Sequence, residues 1–216
     1  LTLPDGVDLS RYTRLPDPFQ ARQTLHLPEQ FTAGYTGHLY EGRGIDHLLK
    51  IAAQLPDIHF LLAGGNPEDV AKLKSQISKP ADHPSPSSNL HLTGFIPNAD
   101  LPLYQAACDL LLMPYQRRVA ASSGGDIAPY LSPMKLFEYM ASGRAILSSD
   151  LPVFHEVLNP ANAILLPPDD VEAWCHAIRE MQTTPEKRAA WGQRARSDAE
   201  QYTWEARAQK MLDGLG

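Results

Sequence analysis

Short apolar runs alternate with helix-period patterns almost throughout the chain. This rhythm predicts an α/β fold, a doubly wound, Rossmann-like parallel sheet with helices on both faces. Two further observations agree. The runs LLLM and AILL are continuously apolar, as strands covered on both faces should be. A glycine loop, Gly37 to Gly44, stands between a strand candidate and an amphipathic helix candidate. Sheets of this kind bind ligands at the carboxyl ends of their strands, near a topological switch point.

Taken in order, residues 1–30 are rich in proline and polar side chains and read as a linker. Strands are expected over Phe31–Gly37, Ile58–Gly64, Asn89–Phe95, Asp109–Tyr115, Arg144–Ser149 and Ala163–Pro168. Between them, Ile45, Leu48, Leu49, Ala52 and Leu55 mark one helix face, and Val70, Leu73 and Ile77 another. Val171, Trp174, Cys175 and Ile178 mark a third, after the capping pair Asp169 and Asp170. In SPMKLFEYMASG, Ser132 is a natural N-cap, Pro133 a natural first helical residue and Gly143 a natural stop. Two stretches break the rhythm. Lys79–Ser88 is a Pro/Ser loop, and Gln116–Leu131 follows a strand on the ligand side, long enough to suggest function.

Composition narrows the function. The 216 residues are 43% hydrophobic with a net charge of −6, so no basic footprint for nucleic acid or a broad anionic membrane surface is present. Mean hydropathy is −0.30, that of an ordinary water-soluble globule. No apolar run approaches the roughly 20 residues that cross a bilayer. Cys108 and Cys175 sit in apolar segments and read as buried thiols of a reducing, cytoplasmic setting. The chain begins at Leu1 rather than methionine, so a piece of a longer protein is expected.

The chemistry concentrates in two places. Gly37-x4-Gly42 has the spacing of a nucleoside-triphosphatase P-loop, but Arg43 and Gly44 stand where Lys and Ser or Thr would follow. The alternatives are an anion site of another kind, with Arg43 as a phosphate fork at a helix N-terminus, or a tight turn with a surface arginine. His38 lies inside the same loop. The second place is Glu138, a lone acid in a helix apolar on most sides. A buried carboxylate must be paired or accept hydrogen bonds. Lys135 could pair with it at i,i+3, in the weaker order, or a ligand diol could donate to it. No HxxxH, CxxC or Asp-x-Asp suggests a metal, and no Gly-x-Ser-x-Gly suggests a serine hydrolase.

Several segments in order resemble the group 1, family 4-like retaining glycosyltransferases of the GT-B fold, and in particular their C-terminal, donor-binding half. They are LPDGVDLSRY, GYTGHLYEGRGID, HLTGFIPNADLPLYQAACDLLLMPY, SPMKLFEYMASGRAILSSDLP and YTWEARAQKML. The resemblance implies that an N-terminal acceptor domain precedes residues 1–30, and that residues 31–216 bind a nucleoside diphosphate sugar of UDP or GDP type, with no other cofactor and no metal. It places Gly37, His38 and Arg43 on the donor diphosphate, with the backbone N–H groups of Met134 and Lys135. It places Phe95 and Ile96 at the base and Glu138, the second acid of a Glu-x7-Glu motif, on the ribose.

Two positions depart from the pattern. His38 stands where many members have arginine, and Tyr130 occupies the first acid of the motif; residues Ser122 to Asp126 are the nearby substitutes for sugar contacts. The acceptor-side catalytic groups would belong to the preceding domain, and this half needs no membrane contact even if the whole enzyme is peripheral. Two other readings compete. A sugar-nucleotide 2-epimerase shares the two-domain architecture and would show acid–base groups in the other half. A flavodoxin-like binding module would use its cleft without catalysis, but the acidic pocket of a response regulator is not apparent.

Overall fold

The computed structural model describes residues 3–77, 88–119 and 125–214. Six strands form one sheet: β1 (Thr32–Thr36), β2 (His59–Ala63), β3 (Leu90–Gly94), β4 (Leu110–Met113), β5 (Ala145–Ser149) and β6 (Ile164–Leu166). Every pairing is parallel, in the order β3-β2-β1-β4-β5-β6. All six expected strands are present, trimmed by at most two residues at either end. The order reverses between β1 and β4, so the switch point lies where their carboxyl ends open into the Gly37 and Pro114 loops.

Among the described residues eight α-helices accompany the sheet: α1 (Pro18–Thr24), α2 (Ile45–Gln54), α3 (Pro67–Ile77), α4 (Leu101–Ala106), α5 (Met134–Ser142), α6 (Val171–Thr183), α7 (Pro185–Ala199) and α8 (Trp204–Asp213). Strand side chains alternate between faces. Leu110 and Leu112 join a core with Leu48 and Ile51 of α2 and Trp174 and Ile178 of α6. Leu111 and Met113 join a second core with Phe137 and Met140 of α5 and Ala195 of α7. Both faces are therefore dry, which is why LLLM carries no polar residue. Helices α1, α4 and α7 lie in stretches that the apolar periodicity leaves unassigned.

Local chemistry fixes the helix ends. The Asp170 carboxylate accepts from the Ala173 N–H at 3.0 Å and caps α6, whereas Asp169 pairs with Arg117 at 2.9 Å. Gly143 closes α5 with a φ of 68°. Its start differs from the expectation: Pro133 occupies the cap position, and the Ser132 hydroxyl accepts from the Asp5 N–H at 3.0 Å instead. Ser132 thereby ties the N-terminal segment to the helix.

That segment is no loose strap. The Val7 N–H donates to the Tyr202 carbonyl at 2.8 Å, and Val7, Tyr12, Ala21 and Leu27 are buried in the second core. Arg22 of α1 reaches the Asp109 carboxylate and the Ala107 carbonyl, each at 2.9 Å. Asp109 also accepts from the Thr32 N–H at 2.8 Å. The cluster clamps α1 to the amino ends of β1 and β4. A polar, proline-rich composition hides four apolar anchors and one buried ion pair.

The Gln116–Leu131 stretch is partly ordered by Asp126, whose carboxylate accepts from the Val119 and Ala128 N–H groups at 2.9 and 3.0 Å. A short 3-10 turn, Ala128–Tyr130, precedes α5. The Pro/Ser loop, but for Ser88, lies outside the described residues, as do Ser122, Ser123 and Gly124. Cys108 and Cys175 are free and buried, and burial pushes the Cys108 thiol up to about 12. Among the described residues no helix is long and apolar enough to cross a membrane.

Candidate functional site

At the switch point the glycine loop leaves β1 and enters α2 through Gly44, whose φ is 83°. The loop is pinned from below, because the Tyr35 hydroxyl donates to the His38 carbonyl at 2.6 Å. Arg43 folds back from it: Nη1 donates to the Tyr115 hydroxyl at 2.7 Å, and the guanidinium carbon lies 5.0 Å from the Tyr115 ring centre. Lys135 comes up from α5 to the same spot. Its Nζ lies 3.8 Å from the Tyr35 ring centre and 5.5 Å from that of Tyr115. Nζ is buried and has no hydrogen-bond partner among the described residues, although other atoms of the residue keep some exposure. Two basic side chains thus share one aromatic-walled corner. Burial first, and then Arg43, holds the Lys135 amine well below its usual range, with Glu138 opposing.

Helix α5 points its N-terminus into this corner. The Met134 and Lys135 N–H groups precede the first backbone bond of the helix region, from Leu136 to the Pro133 carbonyl at 2.9 Å. They are the orphan donors that make a helix N-terminus attract anions. Met134 itself is 47% exposed, so this end faces solvent. One turn further on sits Glu138, 7% exposed. Its ion-pair partner is Arg11, 3.8 Å away, and not Lys135 as the i,i+3 spacing suggested. Burial raises the Glu138 carboxyl; Arg11, Lys135 and a Gln105 hydrogen bond oppose the rise. Arg11 also donates to the Asn98 carbonyl, so it links Glu138 to the loop that follows β3.

That link brings the remaining expected residues to the same edge. Phe95 and Ile96 follow β3, and Phe95 is 76% exposed, a free aromatic face beside the Asn98 turn. The His38 ring stacks on Tyr40 at 4.8 Å with planes 2° apart, on the outside of the glycine loop. Tyr130 is 85% exposed at the mouth of α5. Of the Ser122–Asp126 stretch, Asp126 is committed to two backbone N–H groups. These bonds hold its carboxyl below the usual range. Arg11 escaped the sequence reading because its contact with Glu138 spans the chain and leaves no local spacing signal.

A groove of about 440 Å³ adjoins the same glycine loop, lined by Glu41, Gly42 and Gly44 of the loop together with Asp46, His47, Lys50, Asp69, Lys72 and Asp169. Its charges are mixed and it lacks the convergence of cations and helix N–H groups found at α5. Among the described residues no group of three or more His, Cys, Asp or Glu could hold a metal ion.

The chain is 28% identical over 158 residues to the phosphatidyl-myo-inositol mannosyltransferase of Mycolicibacterium smegmatis, covering 73% of this chain and 36% of that protein. Its fold superposes on sucrose-phosphate synthase from Thermosynechococcus elongatus with a TM-score of 0.79 at 23% identity, over 98% of this chain and 51% of that one. HepE of Anabaena, solved in complex with UDP, gives 0.80 at 22% identity, over 97% and 55%. The chain therefore spans about half the length of these solved structures and about a third of the mannosyltransferase. Residues 30–184 match the family model described as glycosyl transferases group 1, and the chain belongs to that family.

Proposed function

We propose that this chain is the donor-binding half of a retaining, metal-independent glycosyltransferase that moves a sugar from a nucleoside diphosphate to an acceptor hydroxyl. The observation that carries this reading is the meeting of Arg43, the Lys135 amine and the α5 N-terminus at the switch point, one helical turn from the half-buried Arg11–Glu138 pair. An electropositive corner next to an acid suits a diphosphate followed by a ribose. The diphosphate would accept from Arg43 and the Met134 and Lys135 N–H groups, the ribose hydroxyls would donate to Glu138, and the base would lie against Phe95 and Ile96. Negative charge growing on the departing diphosphate is stabilised by donors already in place, so little reorganisation opposes the step.

HepE, solved with UDP and with UDP-glucose, supports a nucleotide-sugar ligand for a fold of this kind. The acceptor and any base acting on it would come from a preceding domain, in keeping with relatives roughly twice as long. The test is a melting screen of the chain with UDP, GDP and ADP. Ligand at a hundredfold excess over Kd should add about 2.7 kcal/mol of stability. One base should win clearly; no shift with any of the three at millimolar ligand would rule the reading out.

A further inference from the structure

The Lys135 side chain has no role in the assignment above beyond its backbone N–H and its charge. Its position asks for one. Nζ is enclosed by Tyr35 and Tyr115 and has no hydrogen-bond acceptor among the described residues. Overhead lies Gly37, with a φ of 127°; a Cβ built there would stand 2.8 Å from Nζ. A glycine at 37 therefore keeps the space against the amine free of a side chain.

Among the described residues, a buried arginine at the opposite end of the sheet is treated differently. Arg22, clamped there, meets the Asp109 carboxylate at 2.9 Å. Its burial is matched by a partner charge, as stable buried ions require. The charges that act on Lys135 are Arg43, which repels it, and Glu138, whose ion-pair partner is Arg11.

We propose that the Lys135 amine is itself a ligand of the donor diphosphate, reached by rotation of its flexible side chain past Gly37. The inference rests on the donor-binding reading and extends it by one residue. A four-carbon stem on the first turn of α5 needs only a change of rotamer to bring Nζ from the aromatic corner to the phosphates that the same turn's N–H groups face. The groups around it set the sign of the accompanying proton change. Tyr35 of β1 and Tyr115 after β4 are held neutral by burial, Arg43 repels a second cation and Glu138 favours it. An arriving diphosphate adds negative charge and favours the ammonium. Binding should then draw a proton from solvent onto Nζ.

Calorimetric titration of the 216-residue chain with UDP, GDP and inorganic pyrophosphate tests this, with uridine and guanosine as controls. It should be run above the last ionisation of the nucleotide phosphates, in buffers of differing ionisation enthalpy. Lys135→Met is expected to weaken the bound diphosphates about ten- to a hundredfold. It should leave nucleoside binding unchanged and abolish the net proton uptake of the wild-type chain. If Lys135→Met does not fold, Lys135→Gln serves in its place. Diphosphate affinity unchanged in a folded variant would overturn the proposal and leave the donor-binding reading standing. A wild-type chain that binds neither pyrophosphate nor any nucleoside diphosphate would remove that reading, and the proposal with it.

Discussion

Lys135 and Glu138 stand one turn apart on α5, and the sequence offers them to each other. In the fold each finds another partner: Tyr35 beneath the lysine, Arg11 beside the acid. Local spacing shows which residues could meet along a helix, but it is silent on a contact 127 positions away. If Glu138 accepts from ribose hydroxyls, Glu138→Gln should weaken ribonucleotide binding by ~1.5–3 kcal/mol and change the ligand-free melting temperature little, because Arg11 keeps access to water. Titration of the variant beside a melting curve separates the two roles. Arg43→Ala should weaken UDP-type ligands far more than the bare nucleoside, since the proposed site gives its guanidinium to the phosphates and not to the base.

A second residue-scale outcome concerns pH. His59 is 4% exposed, and its Nδ1 lies 3.2 Å from the Thr32 hydroxyl, which itself donates to the Gln30 carbonyl. The hydroxyl proton is thus committed, and Nδ1–H donates to Thr32 as part of a neutral ring. Burial, then His91 and Arg22, lowers the His59 ring to about 4. The unfolded chain binds this proton near 6.5, before the folded chain does. Stability contributed here is therefore complete above about pH 6.5 and lost as pH falls toward about 4, by roughly 2–3 kcal/mol. His47 is shifted the same way, chiefly by burial. Urea unfolding across this range should show the fall, and His59→Gln should flatten it.

At the scale of elements, the four inner strands β1, β2, β4 and β5 were legible because both their faces are dry and their runs had to be mostly apolar. The edge strands β3 and β6, only partly buried, still carry alternating or continuous apolar residues. Their glycine and aspartate punctuation marked the loops as well. The helices that escaped notice are the ones whose signal is not periodic. α1 is held by Arg22, Ala21 and a Pro18 start, and α7 packs small residues, Gly192 and Ala195, against α5 and β5. The turn into α2 is the element most tightly specified by one residue. A Cβ at Gly44 would stand 1.8 Å from the Pro114 carbonyl oxygen, at a φ that already strains any other residue. Gly44→Ala should cost at least ~1–3 kcal/mol in chemical unfolding and disorder the glycine loop, weakening diphosphate binding in parallel. A neutral substitution there would mean that the loop is not held as described.

For the whole molecule, the proposed function makes this chain one wall of a cleft. Helix α8 leaves Trp204, Met211 and Leu212 at 38, 50 and 65% exposure, an apolar surface that the proposed two-domain reading would set against the other wall. Holding donor and acceptor together can supply ~7–11 kcal/mol of a barrier. The 216 residues alone should therefore bind donor and transfer no sugar to an added acceptor; a radiolabelled transfer assay that found turnover would refute this.

The claim on which the rest depends is where a nucleotide sits, and a crystal structure of the chain with the nucleoside diphosphate that wins the melting screen tests it most directly. Phosphate oxygens are expected within hydrogen-bonding distance of Arg43 and the Met134 and Lys135 N–H groups, and the ribose hydroxyls on Glu138. A nucleotide seated instead in the groove between α2 and α3, or bound with its phosphates away from α5, would contradict it.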